Sequence, residues 1–142
     1  MQLHPTVMLG AWDDGRILDA HVSRSEFLGY SEYGHPQFET TRTELGELLY
    51  QLKYRGDRSV VHLIARAAYD FIREWNPLVD VIVPVPPSRP RSVQPLEQRA
   101  RRILLLDDLY QSGATLNAIA RLLKESGGAA RVVALALTRA RS

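Results

Sequence analysis

Cysteine is absent from the 142 residues, which excludes a disulfide framework and any thiolate metal site. Redox chemistry therefore leaves the compartment open, and a cytoplasmic protein is the expectation. Long hydrophobic runs are missing as well. The apolar stretches are a few residues each, far short of the roughly 20 that a membrane-crossing helix needs, so no membrane partner is expected. The opening MQLHPTVMLG has no basic region leading into an apolar one, which argues against a secreted form. Neither sign of charge dominates: the formal balance is +2, and the Arg clusters at 99, 101 and 102 and at 139 and 141 read as parts of a mixed, solvated surface.

What is present suits a folded domain. A hydrophobic fraction of 45% with two Trp, six Tyr and three Phe is ordinary for a globular chain. At this length a single domain over 1–142 can bury roughly two thirds of its unfolded surface. Residues 1–40 read as a small β and loop lead-in. Val7 to Trp12 and Arg16 to Val22 are strand-like runs separated by the turn signal Asp13-Asp14-Gly15, which predicts an antiparallel hairpin. Ser23 to Thr40, with Tyr30, Tyr33, His35 and Phe38 among Gly29, Gly34 and Pro36, reads as a loop whose aromatics cover apolar surface.

From residue 41 onward the pattern is α/β. Thr41-Arg42-Thr43-Glu44 fits a capping box, and Leu45, Leu48, Leu49 and Leu52 make one helical face ending near Tyr54. Gly56 breaks that helix and Asp57 can cap the next. Val60, Ile64, Ala67, Ala68 and Phe71 then carry an apolar stripe to Trp75, where Asn76-Pro77 stops it. Val79 to Val85 reads as a strand with Pro84 inside it and Pro86-Pro87 closing it. His4, His21, His35 and His62 show no ligand-like or triad-like spacing, and His62 reads as a satisfied, partly buried residue.

Arg102 to Thr115, RILLLDDLYQSGAT, carries the strongest functional signal. Ile103 to Leu106 is a continuous apolar run, as a parallel strand covered on both faces shows. Asp107 and Asp108 stand where that strand should end. Gln111, Ser112, Gly113, Ala114 and Thr115 can turn tightly and offer backbone N–H groups to an anion, with Leu116, Ile119, Ala120 and Leu123 following at helical spacing. A purely structural strand, turn and helix would not need two carboxylates there. A receiver domain would need a later phosphoacceptor Asp, and none follows Asp108. A Walker-type loop would need Gly-Lys-Ser or Gly-Lys-Thr, and the turn has no Lys.

These fourteen residues resemble the phosphoribosyl pyrophosphate (PRPP) motif of type I phosphoribosyltransferases. The resemblance implies that Asp107 and Asp108 bind ribose hydroxyls and that Gln111 to Thr115 wrap the 5′-phosphate. LLYQLKYRGDRSVVHLIARAAYDFI, VDVIVPVPPSRPRS and the terminal VVALALTRA narrow it to the ComF-like branch, over roughly Leu48 to Ala140. Pro86, Pro87, Ser88 and Arg89 would then receive pyrophosphate, with Arg91 and Tyr110 as further ligand contacts. An Arg fork beside backbone N–H groups suits a diphosphate, although a rigid Pro-rich connection with solvated Arg residues reads equally well on local sequence alone. Lys53 and Arg55 could reach a phosphate or a nucleic acid, but the residues themselves favour capping the first helix's C-terminus.

The departures from the family are two. ComF proteins commonly begin with a cysteine zinc module, which this chain cannot form. Only seventeen residues, Pro86 to Arg102, separate the pyrophosphate strand from the PRPP strand, where the family places a helix, a strand and a flexible catalytic loop. They suffice for one short crossover, with Val93, Leu96 and Ala100 facing inward. Either the chain is a reduced form or an internal segment is missing from the sequence.

The expected architecture is a mainly parallel, twisted sheet of the phosphoribosyltransferase, Rossmann-like type. The Val79 strand neighbours the Ile103 strand, the Val132 strand lies beyond it, and the site sits at the strands' carboxyl ends. The implied activity is Mg²⁺-dependent transfer of phosphoribose from PRPP to an unidentified nitrogen acceptor, with Mg²⁺ held through the substrate and supported by Asp107 or Asp108. No catalytic acid or base is assignable. The alternative is a non-catalytic PRPP or nucleotide-binding module acting in DNA uptake or processing through partners. Nucleic acid as a direct partner rests only on scattered Arg residues. A homodimer is compatible with the sequence.

Overall fold

The computed structural model of the chain describes residues 1–85 and 101–140. The apolar run Ile103–Leu106 lies in strand β6, Arg102–Tyr110, which is parallel to β5, Val81–Pro84, on one side and to β7, Arg131–Arg139, on the other. β7 pairs in parallel with β2, Asp14–Ala20, and the short β1, Thr6–Val7, closes that edge antiparallel to β2. Among the described residues the sheet has five strands in the order β1-β2-β7-β6-β5, and three of the four pairings are parallel. The protein is thus α/β with a mostly parallel mixed sheet.

Helices cover both faces, which explains why β6 is apolar without alternation. On one face α3, Ala114–Glu125, packs Leu116, Ala120 and Leu123 against Ile103, Leu105, Val132 and Ala134. On the other, Leu45 of α1, Glu44–Arg55, and Ile64 of α2, Val61–Trp75, pack with Leu104, Val133 and Leu135. Among the described residues β5 lies at the end of the sheet order, where the donor that Pro84 lacks breaks no ladder bond.

Four sequence readings change. β2, expected as half of a hairpin ahead of the core, is an inner strand paired in parallel with β7. The antiparallel pairing of the N-terminus survives only as Thr6↔Ile17 and Val7↔Arg16. The expected loop Ser23 to Thr40 is a second sheet, β3, Val22–Tyr30, against β4, Pro36–Arg42. Its aromatics cover no core. A register shift between Phe27 and Gly29 gathers Phe27, Tyr30 and Phe38, with ring centroids 5.4–5.5 Å apart, and all three stay exposed. The cap of α1 is Thr43 rather than Thr41, its hydroxyl accepting the Gly46 N–H, and His62 is exposed. Asp57 does cap the 3₁₀ turn before α2, and Asn76 ends α2 in the left-handed conformation.

Candidate functional site

Asp107 and Asp108 lie within β6, which continues to Tyr110, rather than just beyond its end. Both line a cleft of about 740 Å³ at the carboxyl ends of the parallel strands, with Pro84 from β5 and Leu137 from β7. Lys53 and Tyr54, in the last turn of α1, form its opposite wall. A smaller pocket of about 110 Å³ adjoins it, lined by Gln111, Ser112, Gly113, Ala114 and Thr115 together with Tyr110. Asp107, Leu109, Gln111 and Thr115 are common to both cavities. The acidic pair and the turn therefore form one continuous site.

The turn follows from its small residues. Gly113 adopts φ 76°, a left-handed conformation that glycine takes without steric cost, and α3 starts at the next residue. The Ser112 hydroxyl accepts the Ala114 N–H at 3.3 Å. Gly113, at the N-cap, has no side chain to bond the next N–H groups, so the first turn of α3 presents its positive end to a negatively charged ligand. Asn117, which sequence reasoning overlooked, braces this arrangement. Its amide N–H donates to the Gly113 carbonyl at 2.8 Å, and its carbonyl oxygen accepts the Ala11 N–H at 2.7 Å. One polar position in an amphipathic helix carries no distinguishing sequence signal.

Burial and the adjacent Asp108 carboxyl push Asp107 up to about 6, against the opposing pull of the Asp108 and Leu109 N–H groups. The Asp108 N–H donates to Asp107 Oδ1 at 2.8 Å. Across the cleft, Lys53 Nζ lies 3.7 Å from Asp108 Oδ2. Lys53 thus faces the acidic pair, a role the capping argument did not favour. Arg55 stays at the helix end, its guanidinium 5.6 Å from the Tyr50 ring, and does not line the cleft. Tyr110 lies beneath the Arg139 guanidinium at 5.5 Å. Pro86, Pro87, Ser88, Arg89 and Arg91, as well as Val93, Leu96 and Ala100, lie outside the described residues.

The raised Asp107 value has a stability consequence. The carboxyl binds its proton more tightly folded than unfolded, where it titrates near 3.8. Its contribution is complete below pH 4 and is lost as pH rises through 6, leaving a penalty of about 1 kcal/mol after allowance for solvent screening. Urea melts of Asp107→Asn are expected to show a gain of about 1 kcal/mol over wild type at pH 8 and none at pH 4. Equal gains at both values would contradict the assignment.

Two further residues reach the acidic pair from outside the motif. Thr138 of β7, fully buried, donates its hydroxyl to the Asp108 carbonyl at 3.0 Å, and His21 Nδ1 lies 3.3 Å from that hydroxyl. Among the described residues no three His, Asp or Glu side chains gather into a metal cluster. Among the described residues no helix is long and apolar enough to cross a membrane. No protein-family model, curated protein or solved structure matches this chain.

Proposed function

We propose that the chain is a phosphoribosyltransferase-like protein that binds PRPP or a ribose 5-phosphate nucleotide at this site and transfers phosphoribose to a nitrogen acceptor. The observation that carries the reading is the shared wall. An acidic pair at the carboxyl end of a parallel strand adjoins a phosphate-sized turn pocket at a helix start, so a diol and a phosphate on one sugar can be held together. The resemblance of Arg102 to Thr115 to the PRPP motif supports the same assignment, and on this reading the mostly parallel sheet is of the phosphoribosyltransferase, Rossmann-like type.

The donor set fits Mg²⁺. Two neighbouring carboxylates in an open cleft offer hard oxygens of the kind Mg²⁺ prefers. Asp107 and Asp108 would support it there, and its charge would offset that developing on departing pyrophosphate. Lys53 adds a cation on the facing wall. A second reading, a binding module without turnover that works through partners in DNA uptake or processing, is favoured by the seventeen-residue spacing before β6.

Calorimetry with PRPP and Mg²⁺ tests both readings. Wild type is expected to bind, and Asp107→Asn with Asp108→Asn together to weaken binding at least tenfold, the loss of two charge-assisted contacts. Pyrophosphate release with a panel of nucleobases and amines marks the enzyme. Binding without release across the panel marks the module, and no binding sinks both.

A further inference from the structure

We infer that Thr138, held by His21, is a positioning residue that fixes the Asp108–Leu109 peptide and through it the acidic pair. The inference rests on the proposed site only for its functional consequence; its geometry is independent of the ligand. Thr138 stands opposite Leu109 in the β6/β7 ladder, at the end of an otherwise apolar buried strand. A hydroxyl has one proton and two lone pairs. Since that proton goes to the Asp108 carbonyl, the partner at His21 Nδ1 must be the donor, and the ring therefore carries a hydrogen on Nδ1. The hydroxyl is used in both directions and cannot turn away without losing a partner.

The peptide plane transmits this restraint. The carbonyl of Asp108 and the N–H of Leu109 belong to one rigid unit and point opposite ways. Holding the carbonyl toward Thr138 holds the N–H toward the Asp107 carboxylate, whose ionised form it favours. Rotation of this peptide would carry that N–H away from the Asp107 carboxylate. His21 itself is anchored on three sides. Its N–H donates to the Arg139 carbonyl at 2.9 Å, its carbonyl accepts the Thr43 N–H at 3.2 Å, and its ring faces Arg42 of β4, Glu47 and Lys53 of α1, and Asp108 of β6. Burial first, then the Arg42 guanidinium, keep the ring below its ordinary range, yet Nδ1 keeps its hydrogen in both ring forms.

The test is amide hydrogen exchange of Leu109, read by NMR in the full chain. Thr138→Val keeps shape and strand propensity but removes the hydroxyl, and is expected to speed Leu109 exchange about tenfold relative to the Ile103 to Leu105 amides of the same strand. Thr138→Ser, which restores the hydroxyl, is expected to keep the wild-type rate, and His21→Phe to speed exchange by less than valine does. If the valine variant does not fold, Thr138→Ala carries the same expectation. In parallel, Thr138→Val is expected to weaken ribose 5-phosphate binding about tenfold. A valine or alanine rate equal to wild type overturns the inference, as does a serine rate as fast as theirs. Absence of ribose 5-phosphate binding by wild type would instead overturn the functional reading and leave the exchange result standing.

Discussion

Gly113→Ala is expected to weaken binding of ribose 5-phosphate at least tenfold and to destabilise the fold by about 2 kcal/mol. Gly113 holds φ 76°, where a side chain is strained. An added Cβ would also stand 2.8 Å from Tyr110 Cε2 and 3.0 Å from Asn117 Nδ2. The Tyr110 ring can move, but only by shifting within the lining of the small pocket. Displacement of Asn117 loosens the bond that holds the Gly113 carbonyl. Calorimetry and thermal melts read the two effects separately. Lost stability with unchanged affinity would show that the turn is structural and that the phosphate binds elsewhere.

Gly46→Ala is expected to be the most destabilising single methyl added to the described residues, at about 3 kcal/mol, with a fall in Tm of about 10 °C. In an exposed helix the same change would stabilise by up to about 1 kcal/mol. Here a Cβ would lie 2.1 Å from the His21 carbonyl oxygen, and neither partner is free to yield. That carbonyl accepts the Thr43 N–H at 3.2 Å, while the Thr43 hydroxyl accepts the Gly46 N–H and donates to the Ala20 carbonyl at 2.6 Å. The first turn of α1 is thereby laced to the end of β2. Pushing it away would also displace Lys53, which lies at the helix's other end and faces Asp108. A melt unchanged or raised by alanine would contradict this account.

The parts of the fold legible in the sequence were those whose burial leaves a periodic trace. The run Ile103 to Leu106 marked a strand covered on two faces, and the Leu116, Ile119, Ala120 and Leu123 spacing marked α3, because packing on the sheet selects those residues. β3 and β4 left no such trace, since both faces of that hairpin are mostly exposed and no alternation is demanded. The parallel partnership of β2 with β7 was hidden for another reason: periodicity reports burial and not which strand lies alongside. At the site, Asp107, Asp108 and the small-residue turn could be read because they are contiguous. Lys53 could be named but not placed, because a cation near a helix end satisfies the dipole wherever it points. Thr138 had a faint signal, a polar residue closing the apolar stretch VVALAL, whereas His21 had none, because its importance comes from a strand more than a hundred positions away.

That separation bears on the order of assembly. β7 is the central strand of the five, and its partner on one side, β2, precedes it by almost the whole chain, with Asp19 aligned to Thr138. The β3–β4 hairpin and the α1–α2 pair are built from local contacts and can form while synthesis, at about 5–20 residues per second, is still under way. β2 must wait, its buried Ile17 and Leu18 without their final cover, until β7 has left the ribosome. Closing so long a loop is slow, and the acidic pair acquires its Thr138 tether only at that last step. The site is consequently among the last features of this sheet to form, and a nascent chain stalled before residue 131 would hold Arg102 to Thr115 without the β7 neighbour.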